Sequence, residues 1–301
     1  MIYGSGKFTY ELVPGWAKLP AGWNWDQASG LAVDSEDRVF VFMRTDHPVI
    51  ILDRDGNFIK SWGDGLFGRP HGLTIGPDGS VYCTDDKDHV VHKFTSDGKL
   101  LMTLGTKGKP SDSGYILDPD LMKALGSIKR GAGPFNRPTQ VTFAPSGEMY
   151  ITDGYGNARV HRFTADGKLI GSWGKPGAGP GEFCLPHGAA VDKNGRVFVA
   201  DRENSRVQIF TAEGKFLEQW TDVIKAADVF IKDDVVYIAE LPGRITITDL
   251  DGKVLARVGE AAGVGSPVLP NAHSLWIDSH RDLYVGEVSP GPRIEKFVLK
   301  G

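Results

Sequence analysis

Three histidines stand at the same place in a recurring sequence pattern. The copies read RPHGLTIGPDGSVYCTDD from residue 69, LPHGAAVDKNGRVFVAD from residue 185 and, in a looser form, LPNAHSLWIDSHRDLYVGE from residue 269. They place His71, His187 and His273 in register. Imidazole nitrogen is a common zinc ligand. Three histidines that recur in this way predict a metal site, provided that the fold brings the copies around one point.

Six repeat units make up most of the 301-residue chain. Each unit contains four short strand-like segments separated by turns with Asp-Gly or a similar pair, as the 39 glycines also indicate. The units cover residues 28–63, 70–105, 138–174, 186–220, 226–259 and 272–299. Four strands in a repeat of roughly 40 residues are typical of a propeller blade. The sequence therefore predicts one all-β domain over residues 1–301, a six-bladed β-propeller.

Two segments depart from the regular repeat. The last unit lacks a clear fourth strand, and FTYELVP at 8–14 is a free strand that could supply it and close the ring. Residues 106–135 are an insertion between units two and three. Its DPDLMKALGSI stretch predicts a short helix capped by Asp118 or Asp120. The insertion is either a surface loop or a lid over a site.

The histidines occur in every second unit. Units one, three and five have Ser29, Thr139 and Ala227 at the equivalent position. Six blades stand about 60° apart, so alternate blades place equivalent residues about 120° apart around the central channel. Three imidazoles with threefold symmetry suit zinc or another divalent metal, with a fourth position open. The remaining histidines are predicted to be structural or solvated: His47, His89, His92, His161 and His280.

The loop after the second strand of each unit returns to the face on which the histidine lies. This loop carries Arg44 in unit one, Tyr155 in unit three and Arg202 in unit four. Arginine suits bidentate binding of a carboxylate, and a tyrosine near a metal can act as an acid or a base. The residues alone are equally compatible with a structural role. Asp153 and Asp201 are predicted only to cap their loops.

The composition argues against several classes of partner. The net charge is −4 and no Lys/Arg-rich run is present, so neither nucleic acid nor a membrane surface is an expected partner. The N-terminal stretch lacks the pattern of a signal peptide. Cys83 and Cys184 are too few for a disulfide framework. We therefore expect a cytoplasmic protein.

The repeat stretches resemble a known family. PHGL from residue 70, TDGYGNARV from 152 and VADRENSRVQIF from 199 are similar to the peptidyl-α-hydroxyglycine α-amidating lyases, a branch of the NHL-type propellers. The resemblance extends from about residue 28 to 288. It implies a reaction that cleaves the C–N bond of an N-acylated α-hydroxyglycine, giving an amide and glyoxylate. The expected substrate is a small molecule or short peptide derivative with a carboxylate.

The resemblance also implies roles for particular residues. His71, His187 and His273 match the zinc ligands, while Tyr155 and Arg44 match the catalytic tyrosine and arginine, with Arg202 near the substrate. Two positions differ from the pattern of the family. Gly156 replaces a cysteine of secreted animal members, so their disulfide is absent. The family's structural calcium uses an acid directly after the third histidine, and Ser274 at that position puts a calcium ion in doubt.

Other functions remain compatible with the same sequence. A metal-dependent hydrolase or hydratase of a small amide or lactone would use the same histidines. A non-catalytic NHL propeller would bind protein or RNA on one face, and would need an exposed basic or aromatic patch. A gluconolactonase-like propeller would need acidic calcium ligands in the channel, where this chain has histidines.

Overall fold

The computed structural model describes residues 1–260, 269–288 and 293–301. Unit six, predicted over 272–299, and the single domain, predicted over 1–301, both include positions outside these ranges. Across the described ranges the strands form six antiparallel sheets. No helix in them is long and apolar enough to span a bilayer.

The chain begins with a hairpin and continues through three sheets. The hairpin consists of β1 (Ile2–Ser5) and β2 (Phe8–Leu12). Unit one contains β3 (Ala28–Val33), β4 (Val39–Met43), β5 (Val49–Leu52) and β6 (Phe58–Trp62). Unit two contains β7 (Pro70–Ile75), β8 (Val81–Asp85), β9 (Val90–Phe94) and β10 (Leu100–Gly105). After helix α1 (Leu121–Gly126), unit three contains β11 (Gln140–Phe143), β12 (Met149–Asp153), β13 (Arg159–Phe163) and β14 (Leu169–Trp173).

The other three sheets repeat the same order. Unit four contains β15 (Pro186–Val191), β16 (Val197–Asp201), a 3₁₀ turn (Arg202–Asn204), β17 (Arg206–Phe210) and β18 (Phe216–Trp220). Unit five contains β19 (Ala226–Lys232), β20 (Val235–Glu240), β21 (Arg244–Asp249) and β22 (Val254–Gly259). Unit six contains β23 (Ala272–Ile277), β24 (Leu283–Glu287) and β25 (Ile294–Leu299). The predicted six-bladed β-propeller is confirmed.

The N-terminal strand closes the ring, as predicted. β2 pairs with β25, with Tyr10 opposite Leu299 and Leu12 opposite Phe297. It thereby supplies the fourth strand of unit six and covers an edge that would otherwise be open. β1 adds a fifth strand outside it. The sequence analysis missed β1, because this short stretch is largely exposed and has no apolar alternation.

The hydrophobic core lies between neighbouring sheets. The second strand of unit one, VFVFM, is buried along its whole length, whereas its fourth strand is partly exposed. Phe40 and Phe42 of unit one pack in one cluster with Leu73, Cys83 and Phe94 of unit two. Strands with sheets on both faces bury consecutive side chains instead of alternate ones. The innermost strands contact one another in a ring: β3, β7, β11, β15, β19 and β23.

A glycine in the turn between the third and fourth strands packs on a tryptophan of the preceding unit in three of the blades. Gly214, in the turn between β17 and β18, has a φ of +86°, a conformation that favours glycine. A Cβ atom built on it would lie 2.4 Å from the indole of Trp173, at the end of the preceding sheet. Gly98 and Gly252 pack in the same way on Trp62 and Trp220. At these three junctions the glycine and the tryptophan therefore fix the packing of one blade on the preceding one.

The insertion contains the predicted helix. Of the two candidate caps, Asp120 is used, and its Oδ1 accepts from the backbone N–H groups of Met122 and Lys123 at 2.9 and 3.2 Å. Leu125 of α1 packs in a small apolar cluster that also contains Leu185 and Tyr155. The insertion thus lies beside the loop that carries Tyr155.

Candidate metal centre and active site

The three predicted histidines meet at the channel axis. His71, His187 and His273 are the second residues of β7, β15 and β23, three alternate innermost strands. Their ring centroids are 4.7 to 5.1 Å apart. One ligand nitrogen from each ring lies within 4.8 Å of the others, and all three side chains are buried. The fold therefore gathers three nitrogen donors from positions about 85 to 115 residues apart in the sequence.

A backbone carbonyl of the neighbouring unit orients each ring. The three Nδ1 atoms lie 2.6 to 2.9 Å from these oxygens, which belong to Thr139, Ala227 and Ser29. A carbonyl can only accept, so each Nδ1 carries the proton and each Nε2 keeps its lone pair. The units that lack a histidine thus orient the histidines of their neighbours, which is the usual arrangement around a metal-binding imidazole.

The electrostatics keep these imidazoles neutral. Burial lowers the pKa values of the three histidines well below the usual range of an imidazole. The positive charge of Arg44 lowers these pKa values further. The neutral imidazole is the form that binds a metal. Three neutral nitrogen donors without a carboxylate among them fit zinc or a similar divalent ion better than calcium, which requires oxygen ligands.

Tyr155 stands directly over the histidines. Its hydroxyl oxygen lies 3.3 Å from Nε2 of both His71 and His187. Arg202, which is buried, donates from Nη1 to the same oxygen at 3.1 Å and from Nε to Glu203 at 2.9 Å. A substrate that reached the histidines would therefore contact the hydroxyl group of Tyr155.

Arg44 completes the set of predicted site residues. Its Nε donates to the carbonyl of Pro70 at 3.1 Å, and its Nη1 donates to the side chain of Gln27. Neither partner is charged. Burial, together with the nearby Arg69, lowers the pKa of Arg44. Its positive charge has no counter-ion in these contacts, which suits it to bind a carboxylate.

The sequence analysis missed two further arginines around Tyr155. The guanidinium carbons of Arg69 and Arg137 lie 5.8 and 5.7 Å from the centroid of the tyrosine ring. Both arginines contact the buried Asp86, Arg69 through a short ion pair and Arg137 at 3.4 Å. Burial raises the pKa of Asp86 even though these cations oppose it. An Arg-Pro pair at the start of the first strand segment of units two and three, RPHG and RPTQ, was the available signal.

The loop acids cap backbone groups, as predicted. Asp153 accepts from the backbone N–H of Asn136 at 3.0 Å and from the side chain of Asn157 at 2.9 Å. Asp201 accepts from the backbone N–H of Cys184 at 2.9 Å. These bonds fix the loops that carry Tyr155 and Arg202, so the acids act by positioning.

Gly154 allows the loop of Tyr155 to approach unit four. A Cβ atom at this position would lie 2.2 Å from the carbonyl oxygen of Pro186, the residue before His187. We expect Gly154→Ala to lower the free energy of unfolding by about 1–3 kcal/mol, because rigid backbone must move. Denaturant unfolding measures this change. Gly171→Ala is the control, since a Cβ at Gly171 meets nothing within 4 Å; equal losses in both variants would contradict the prediction.

The fold and the repeat together define the class. A model of the NHL repeat matches residues 183–210. The chain is therefore a six-bladed β-propeller with an NHL repeat in its fourth unit and three convergent histidines in its channel.

Several proteins with known names are similar in sequence to this chain. The chain is 32% identical over 161 residues to peptidyl-α-hydroxyglycine α-amidating lyase 1 of Drosophila melanogaster, a match covering 50% of the chain and 26% of that protein. It is 31% identical over 210 residues to NHL repeat-containing protein 3 of Homo sapiens, covering 66% of the chain and 55% of that protein. The resemblance to the amidating lyases is confirmed. The chain spans 20–55% of the length of the curated relatives it matches.

A solved structure shows the same fold over almost the whole chain. The structure of streptogramin B lyase matches with a TM-score of 0.65 and 14% identity. The match covers 97% of this chain and 98% of the other. At this identity it supports the propeller architecture and nothing about the reaction.

Proposed function

We propose that the protein is a zinc-dependent lyase that cleaves the C–N bond of an N-acyl-α-hydroxyglycine to an amide and glyoxylate. The proposal is carried by the position of Tyr155. Its hydroxyl oxygen lies 3.3 Å from the Nε2 atoms of two of the three convergent histidines. A relative at 32% identity is named an amidating lyase. Arginines beside the same tyrosine suit a substrate with a carboxylate.

The three histidines would hold the metal. His71, His187 and His273 present neutral nitrogens that are already oriented by backbone carbonyls. A bound zinc ion supplies a Lewis acid that lowers the pKa of a hydroxyl group beside it.

Tyr155 would move the proton of the reaction. Its oxygen, held by Arg202, would act as the phenolate and accept the proton of the substrate hydroxyl group. The electron pair of that O–H bond then forms the carbonyl of glyoxylate, and the C–N bond breaks with its electrons on nitrogen. The proton on Tyr155 passes to the nitrogen, which leaves as the amide. One proton thus moves from oxygen to nitrogen, and the reaction requires no added water.

Arg44 would bind the carboxylate of the substrate. Among the described residues, its guanidinium donates to two uncharged groups, the carbonyl of Pro70 and the side chain of Gln27. A charge-assisted contact at this position holds the carbon that bears the hydroxyl group close to Tyr155 and the histidines. It also balances the negative charge that remains on glyoxylate after cleavage.

The test measures metal content and turnover on the same purified protein. We expect about one zinc per chain by plasma mass spectrometry and release of glyoxylate from α-hydroxyhippurate. Removing the metal with a chelator should abolish release, and adding zinc should restore it. Zinc without glyoxylate would overturn the lyase and favour the hydrolase or hydratase. Protein that binds no metal would overturn the metal centre and favour a binding propeller.

A further inference from the structure

A cavity of about 420 Å³ opens beside Tyr155. Its lining includes Tyr115 and Leu117 of the insertion together with Arg69, Lys87 and Arg137. Arg137 joins the cavity to the candidate active site, because its guanidinium carbon lies 5.9 Å from the ring centroid of Tyr115 and 5.7 Å from that of Tyr155. The reaction proposed above leaves this cavity without a role.

The charged side chains of the cavity are cations. The cavity is lined by Arg69, Lys87 and Arg137. Among the described residues, none that lines it is an aspartate or a glutamate. Asp86 contacts both arginines, so one negative charge faces two positive ones. Lys87 is exposed and makes no ion pair with any residue that the structure describes. The surroundings of the cavity therefore carry an excess of about two positive charges.

Two neutral polar side chains of the cavity, His89 and Tyr115, can donate hydrogen bonds to a ligand. The backbone N–H of Arg137 donates to Nδ1 of His89 at 3.1 Å, so the proton of this neutral imidazole is on Nε2. Burial lowers the pKa of His89, which keeps the ring neutral. The hydroxyl of Tyr115 accepts from Nη1 of Arg137 at 3.1 Å, and its own proton remains available for donation.

Part of the cavity's surface is apolar. Leu117 is 73% exposed, and the ring of Tyr115 lies beside it. A large exposed aliphatic side chain next to a cavity with several cations suits a ligand with both an apolar part and an anionic end.

We propose that this cavity binds the acyl group of the substrate and selects acyl groups that carry a second carboxylate on an apolar stem. The inference rests on the proposed function and defines its substrate class. Arg44 accounts for the first carboxylate of an N-acyl-α-hydroxyglycine, which leaves Arg69, Lys87 and Arg137 for another. The preferred substrates are therefore α-hydroxyglycine conjugates of dicarboxylic acids or of acidic residues.

The test compares two substrates that differ in one group. One is α-hydroxyhippurate, and the other is its counterpart with a 4-carboxybenzoyl acyl group. We expect kcat/KM of the zinc-loaded protein to be at least about tenfold higher for the carboxylated substrate. Lys87→Glu should reduce this ratio about tenfold or more. Lys99→Glu is the matched control, because Lys99 is exposed at the opposite end of β9 and should leave the ratio unchanged.

A binding measurement separates failure of the cavity from failure of the reaction. Hippurate and N-(4-carboxybenzoyl)glycine lack the hydroxyl group and cannot be cleaved, and calorimetry gives their Kd values. At least about tenfold tighter binding of the second compound, without turnover of either substrate, would keep the cavity and overturn the lyase. Turnover of both substrates with equal kcat/KM and equal Kd values would keep the lyase and overturn the cavity's role. Equal Kd values without turnover would overturn both.

Discussion

Purified His187→Ala protein will retain less than about a tenth of the zinc bound by the parent protein. Two imidazoles remain in the variant, His71 and His273, and they do not make the closed set of nitrogen donors that holds zinc. Changing only an outer partner of a zinc ligand already weakens binding about 10–100-fold, so removing a ligand should cost more. Plasma mass spectrometry after exhaustive dialysis measures the difference.

The control for this result is His280→Ala. His280 is exposed and lies outside the histidine cluster, so its replacement should leave the zinc content unchanged. The His187→Ala chain also loses the hydrogen bond to the carbonyl of Ala227. Circular dichroism should therefore confirm that the propeller is intact in both variants. A folded His187→Ala protein with a full complement of zinc would contradict the threefold site.

Tyr155→Phe will lower the rate of glyoxylate release about 10²–10⁴-fold, the range for loss of a positioned acid–base group. The variant keeps the ring between its arginine neighbours but removes the oxygen that lies 3.3 Å from Nε2 of both His71 and His187. The three ligands are unaltered, so zinc content should stay at the parent level. Steady-state assays with α-hydroxyhippurate and metal analysis on the same preparation test both statements.

Tyr82→Phe provides the matched change elsewhere in the fold. Tyr82 is buried in a core cluster between units two and three, away from the histidines, and its replacement should leave turnover within about twofold. Full activity of Tyr155→Phe would exclude the proton transfer assigned to this residue. Loss of zinc together with activity would instead show that the tyrosine contributes to metal binding.

The sequence by itself determined the propeller and the register of its histidines. Both follow from local signals, because a blade is a contiguous stretch whose turns and buried strands recur at a fixed spacing. The Asp-Gly turns with positive φ and the Asp120 cap are likewise set by residues a few positions apart. Since the position in the repeat determines the position around the axis, counting units was sufficient to place His71, His187 and His273 together.

The tertiary structure alone decided how different blades meet at the channel. The proton on each histidine Nδ1 depends on a carbonyl of another unit, and a carbonyl leaves no mark in the sequence. Arg69 and Arg137 stand directly before units two and three, and their Arg-Pro pairs do not show that both side chains reach Tyr155 of unit three. Such contacts depend on side-chain directions at the junctions between sheets, where no short-range periodicity applies. The charge of the site is therefore a property of the assembled ring.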